Sequence, residues 1–451
     1  MTSASLFSPP ADAVHPVGRT FVVFLLAVAV TLFAARPASG QTSRPGTLRL
    51  KKLSFTGLNR YTDAQLAAAS GLHVGDTADV GQLGTVADRL AQSGAFDKVS
   101  YRYAIQGSEL LVEFQVTETK DVFPCIFDNF VWFSQEELDQ TLRRRVPFYV
   151  GNVPQRGTTV QAISAALTAL LKTNGINATV EEIPFSEKMG GPVSAFSFRA
   201  KGISIPVRSL SFPGAEAISE KELAEASSEI AEREYSSIDT NAFVSATLVP
   251  LYHRHGYLNA HFGQIRGNVV GSPAAGSPVP VSIAIPVTEG LQYSWSRADW
   301  TGGHHFSTEE LSRFLGMKVH EIANQDKINA GFGAVKDDYD KDGYIDARIQ
   351  PTELLADDTR LASYNVVIDE GIQYHMGAVH FQGLPERLTA EFTKKWQLKP
   401  GQVYDATYVK DFLKKVAIPK LAETGTTNVR TSIHVDRNSA QALVDVSIAF
   451  Q

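Results

Sequence analysis

The residues best spaced for chemistry are Asp338, Asp340 and Asp342, which occupy alternate positions immediately before Gly343. Such a run resembles the start of a calcium loop, where alternating carboxylates supply hard oxygen ligands and the sharp turn needs glycine. The twelfth position of that loop carries a bidentate Glu, and here it is Ile349. His304-His305 and His253-x-His255 offer imidazoles to zinc, but neither pair has a third ligand at a workable spacing. The lone cysteine, Cys125, sits in Phe123-Pro124-Cys125-Ile126-Phe127 and reads as a small buried hydrophobe; no intrachain disulfide can form. Arg143-Arg144-Arg145 suits the negative end of a helix. No Ser-His-Asp order, glycine-rich phosphate loop or pair of acid–base carboxylates stands out. The expectation is a non-enzyme with no catalytic residue, cofactor, metal or small-molecule substrate.

The aspartates make better sense as part of a repeat. Leu251–Ala260 and Asp338–Ala347 share one pattern: Tyr, three polar residues, Gly, Tyr, an apolar residue, Asn or Asp, Ala. Gly94-Ala95-Phe96 and Gly175-Ile176 are looser versions. This is a helix ending on a left-handed glycine, with the next apolar residue folded back on the last turn. Because His and Arg replace the carboxylates in the earlier copy, the aspartates read as a solvated helix end.

Helix starts repeat as well. Thr62/Gln65, Ser134/Glu137, Ser219/Glu222 and Ser307/Glu310 each form the capping pair Ser/Thr-x-x-Glu/Gln followed by Leu, at steps of 72, 85 and 88 residues. Period-two strands close each copy: Leu110, Val112, Phe114 and Val116; Val281, Ile283, Ile285 and Val287; Tyr364, Val366 and Ile368; Val444, Val446, Ile448 and Phe450. Three of them run into a carboxylate, Glu118, Glu289 and Glu370. Opening strands such as Leu48–Gly57 and Tyr374–Gly383 end Phe-x-Gly, and Gly71-Leu72-His73-Val74-Gly75 fits the turn between two helices. The order is strand, helix, helix, strand, strand, about five times. Each copy is about 75 residues, a size that is marginal alone and gains from stacked neighbours.

Composition agrees. The chain has 451 residues, 43% hydrophobic and 20% charged, which suits several small globular units. A formal charge of −6 argues against nucleic acid as a partner. Arg19 precedes the apolar run Phe21–Ala35, too short for a membrane span of about 20 residues, and small residues follow through Gly40. Residues 1–40 therefore read as a cleavable export signal, cut near Gly40/Gln41, with no cysteine there for a lipid anchor.

The Phe-x-Gly strand end, Gly-Leu-x-x-Gly turn, Gly-Tyr helix end and closing Val-x-Glu-Gly resemble the POTRA repeat. The resemblance covers about residues 47–451 and divides them into 47–120, 121–202, 203–290, 291–371 and 372–451, the second copy departing most. It implies an α+β fold: a tandem array of about five βααββ modules, each a three-stranded mixed sheet with two helices on one face. POTRA arrays belong to outer-membrane assembly factors of the BamA/TamA type and their secretion relatives, where they stand in the periplasm before a membrane barrel. The alternating segments here stop with the fifth copy at Phe450-Gln451, so no transmembrane barrel is expected.

The resemblance also implies function: a periplasmic scaffold binding unfolded outer-membrane proteins, or a separate barrel or assembly-complex protein, by strand addition. The second strand of each module is then the docking edge. That places Val99 and Tyr101, Ala260, Phe262 and Ile265, Ala347, and Ile433 and Val435 at partner-binding positions. The alternatives are a periplasmic solute-binding protein or enzyme with a site at a module seam, and a secretion- or division-type POTRA scaffold.

Overall fold

The alternating apolar residues of each closing strand are buried on one side against two helices, and this sets the architecture. The computed structural model describes residues 48–451 except 189, 275 and 425–428. The expected export signal, residues 1–40, lies outside the described residues. No helix among them is long and apolar enough to cross a membrane.

The first unit runs β1 (Leu48–Thr56), α1 (Asp63–Ser70), β2 (Thr77–Ala78), α2 (Gln82–Gln92), β3 (Phe96–Gln106), β4 (Glu109–Glu118). The second runs β5 (Val122–Phe127), α3 (Gln135–Arg145), β6 (Asn152–Pro154), α4 (Thr159–Thr173), β7 (Thr179–Phe185), β8 (Ala195–Lys201). In the third, β9 (Val207–Ser211), α5 (Glu220–Ala226), α6 (Ser237–Phe243) and α7 (Val249–Arg254) precede β10 (His261–Phe262), β11 (Arg266–Val269), β12 (Val281–Ala284) and β13 (Val287–Thr288). The fourth is β14 (Ser294–Thr301), α8 (Thr308–Leu315), α9 (Gln325–Lys341), β15 (Arg348–Ala356), β16 (Leu361–Asp369). The fifth is β17 (His375–Gln382), α10 (Glu386–Lys395), α11 (Ala406–Phe412), α12 (Ile418–Glu423), β18 (Thr431–Asn438), β19 (Leu443–Phe450).

The main sheet of each unit is mixed. The closing strand lies in the centre, parallel to the opening strand and antiparallel to the second strand, as in β14-β16-β15 and β17-β19-β18. The parallel pair needs a long crossover, which the two helices supply. Five hydrophobic clusters result, one beneath each set of strands.

Three features depart from the three-strand expectation. Short strands β2 and β6, between the helices, extend the first two sheets to four. In the third unit the strand expected over Asn259–Ile265 breaks into β10 and β11, paired to separate pieces of the closing strand. A π-helical turn, Val244–Leu248 or Leu413–Ala417, joins α6 to α7 and α11 to α12. Each lies just before a proline, Pro250 or Pro419, whose missing N–H and bulky ring the widened turn accommodates.

The capping pairs form as spaced. Thr62/Gln65, Ser134/Glu137 and Ser307/Glu310 make both halves of the box. Ser219 caps α5 through its hydroxyl, but the Glu222 carboxylate turns to His255 Nε2 at 2.9 Å instead.

Two helix-end glycines, Gly256 and Gly343, also join neighbouring units. Tyr257 N donates to Tyr252 O at 3.1 Å around Gly256 (φ 80°), the fold-back expected of this helix end. The Gly256 carbonyl then accepts from Tyr293 N of the next unit at 2.8 Å, and Gly343 accepts from Tyr374 N at 2.9 Å. A Cβ on Gly343 would stand 2.6 Å from Tyr374 O, so only glycine allows this approach. Between the first two units, Phe148 inserts into the first core, its ring 5.5 Å from Tyr61 and 5.4 Å from Phe96.

Candidate functional site

With the closing strand central, the second strand of each unit is an edge, and its outward N–H and C=O groups have no partner in the sheet. The edges differ in what they present. Directly opposed residues share a sheet face, so register assigns the row that lies on the helix side. On β3 that row is Val99, Tyr101, Tyr103 and Ile105, opposite Val116, Phe114, Val112 and Leu110. Tyr101, Tyr103 and Ile105 are 39, 47 and 53% exposed, overhanging the core beside α2. The Tyr101 ring lies 5.8 Å from Phe114, tilted 47° to it, with its hydroxyl against Gly84.

On β7 the corresponding row is Val180, Glu182 and Pro184, and on β15 it includes Pro351 and Glu353. Glu182 accepts from Ser164 Oγ at 2.7 Å and Glu353 from Tyr364 Oη at 2.7 Å, which fixes both carboxylates inward. On β18 the row holds Ile433 and Val435, then Arg437, whose guanidinium reaches Asp346 of the fourth unit at 2.5 Å.

Of the residues expected at docking edges, Val99 and Tyr101 lie on β3, and Ile433 and Val435 on β18. Phe262 lies on the two-residue β10, and Ile265 falls in the break before β11. Ala260 and Ala347 are corrected: both are buried, and neither is in a strand. The reason is the same in both units. After the left-handed glycine the chain makes one more turn, Ala260 N to Tyr257 O and Ala347 N to Tyr344 O, before any strand begins. Tyr103 and Ile105 belong beside Tyr101 in the exposed row, and the period-two run Val99-x-Tyr101-x-Tyr103-x-Ile105 carried that signal.

The charged constellations resolve into structural contacts. Asp340 pairs with Lys336, Asp338 with Lys341 at 2.7 Å, and Asp342 with the His305 ring at 2.8 Å, so the three carboxylates engage separate partners. No group of three His, Cys, Asp or Glu is placed to hold a metal ion among the described residues. Burial pushes the Cys125 thiol up to about 12. The strand-ending carboxylates clasp the turn after the opening strand. Glu118 accepts from Asn59 N at 2.7 Å and from Arg60 N and Nε at 3.0 Å. Glu289 accepts from Glu216 N, Ala217 N and Tyr252 Oη, each at 3.0 Å. Glu370 accepts from His304 N, His305 N and Tyr339 Oη, each at 2.8 Å. Burial alone raises the Glu118 and Glu370 carboxyls, but these hydrogen bonds outweigh it and hold both below the usual range.

A groove of about 430 Å³ lies between the second and third units, lined by Trp132, Phe133, Ile176, Ile203 and Val279 among others. Its described lining contains no acid, base or imidazole, so it offers no acid–base side chain for proton transfer.

Comparison with known proteins gives a consistent picture. The POTRA family profile, described as surface antigen variable number repeat, matches residues 293–371. A Treponema pallidum (strain Nichols) protein named as an outer membrane protein assembly factor is 25% identical over 165 residues, 37% of this chain and 20% of that relative. The chain thus spans about a fifth of the length of the relative it matches. Among solved structures, POTRA3-5 of BamA from Haemophilus influenzae is 19% identical, with 55% of this chain and 96% of that one covered at a TM-score of 0.42. POTRA1-3 of Omp85 from Anabaena is 14% identical, with 55% and 95% covered at 0.27.

Proposed function

We propose that the chain is a periplasmic scaffold in outer-membrane protein assembly, because residues 293–371 match the POTRA profile and the same βααββ order recurs along the described chain. It binds extended segments of unfolded outer-membrane proteins, or of a barrel-bearing partner, by adding them to its free strand edges. The observation that carries this reading is β3, a strand of 11 residues hydrogen-bonded on one side only. Main-chain pairing along such an edge tolerates many sequences, which suits handling of varied β-rich clients. The curated relative's description as an assembly factor supports the same role.

The test is photo-crosslinking from positions 103 and 433 in the full chain, offered an outer-membrane barrel protein diluted from urea. Crosslinks to the unfolded client, absent with the same protein folded in detergent, are expected. Equal crosslinking to folded barrels and to soluble bystanders would contradict the reading.

A further inference from the structure

We infer that strand addition is confined to the first unit, where β3 takes an extended segment alternating apolar with acidic residues, the other edges being closed. The inference rests on the edge-docking reading above and assigns it to one place.

Edge strands are protected in natural sheets by prolines, inward-pointing charges, bulges and short length. Each device occurs here. β7 carries Pro184 and the inward Glu182, and β15 carries Pro351 and the inward Glu353. A proline on an edge removes a donor that an added strand would use, and its ring projects into the path of that strand. The third edge is cut into pieces of two and four residues, with Tyr235 packed over Gly267. On β18 the inner row ends at Arg437, held across the seam by Asp346. The opposite edges are the short strands β2 and β6, of two and three residues, in the first two units, and the opening strands β9, β14 and β17 in the others, each of which carries a register shift near its start, a bulge that bends the edge away.

β3 has none of these along Lys98–Gln106. It pairs with β4 without interruption over that stretch and contains no proline or glycine. Its inner row is apolar throughout, with the three exposed side chains available to an incoming row of aromatic or aliphatic residues. Its outer row carries Lys98 and Arg102 and no carboxylate, in a chain of net charge −6. Glu113 pairs with Arg102 at 2.8 Å, so Lys98 is the cation of that row left for an acidic partner. The complementary occupant therefore presents apolar side chains inward and carboxylates outward.

The test uses the full chain and a labelled ten-residue peptide alternating Val or Phe with Glu or Thr, beside a second peptide with Lys in place of Glu. One site for the acidic peptide is expected on the wild type, with a photo-crosslinker at position 104 capturing it. Y101S/Y103S/I105S should weaken binding about tenfold or more. P351T/E353V should open a second site. K98E, which leaves the apolar row intact, should reverse the preference between the two peptides and serves if the triple variant does not fold. Binding that survives the triple variant, with crosslinks from β7, β15 or β18, would overturn the assignment while edge docking stands. Absence of crosslinks from every edge strand would overturn edge docking itself, and this inference with it.

Discussion

The carboxylate of Asp128 accepts a hydrogen bond from the Ser236 hydroxyl at 2.8 Å, across 108 residues of chain. Asp128 Oδ1 also takes Ile238 N at 3.0 Å, its carbonyl takes Ser237 N, and Arg199 lies 3.5 Å from Oδ2. A carboxylate only 3% exposed thus caps the start of α6 from the unit before it. Loss of such a buried acceptor strands several donors. D128A should cost about 2–4 kcal/mol of unfolding free energy and loosen the second–third seam. D128N, which keeps an acceptor oxygen, should cost less. Urea unfolding measures the energy, and small-angle scattering reads the seam through a broadened intramolecular pair-distance distribution for D128A.

Two left-handed glycines make a graded prediction. Gly302 has φ 85°, and a Cβ there would stand 2.5 Å from Ile368 O. G302A should therefore cost about 3 kcal/mol or more, combining strain with a backbone collision. Gly175 has φ 76° with nothing within 4 Å of the added atom, so G175A should cost only about 1 kcal/mol. Equal losses in urea unfolding would mean the close approach carries no weight.

Acid should release the carboxylate clasps. The folded-state pKa values of Glu118 and Glu370 are depressed, so their contribution is fully present above the unfolded value of about 4.3. It is lost as pH falls from there through the folded value. Thermal midpoints followed from pH 7 to pH 3 should drop less steeply in E118Q/E370Q than in the wild type, from a lower starting point at pH 7. Parallel curves would contradict the clasp.

Tyr339 donates to the Glu370 carboxylate from a core position, and burial with that bond raises its phenol above the ordinary value. Y339F leaves the ring packed against Phe306 at 4.9 Å and removes only the hydroxyl. Stability should fall by about 1 kcal/mol, read by urea unfolding, with no change in far-ultraviolet dichroism.

Local signals in the sequence were strong where one residue's backbone preference decides the outcome. Ser307/Glu310 and Gly256-Tyr257 could be read at once, because caps and left-handed helix ends are chemistry within six residues. Strand alternation in Val444–Phe450 likewise reported a one-sided sheet. What depended on contacts across the chain was less legible. Glu222 left its capping box for His255, 33 residues away. Ala260 and Ala347 looked like strand starts, yet the turn after each glycine draws them into the core. The edge devices lay open as Pro184 and Pro351, but their meaning needed the register that sets Glu182 and Glu353 on the inner face. The clasp glutamates were visible as strand ends, whereas their partners 31 to 73 residues away were not.

Hydrogen exchange on the full chain, with and without an unfolded outer-membrane barrel protein, tests the central claim most directly. Addition of a client strand should slow exchange at amides within 98–106 of β3 while leaving β7 and β15 unchanged. Protection confined to helix faces, with every edge strand exchanging as in the free protein, would contradict it.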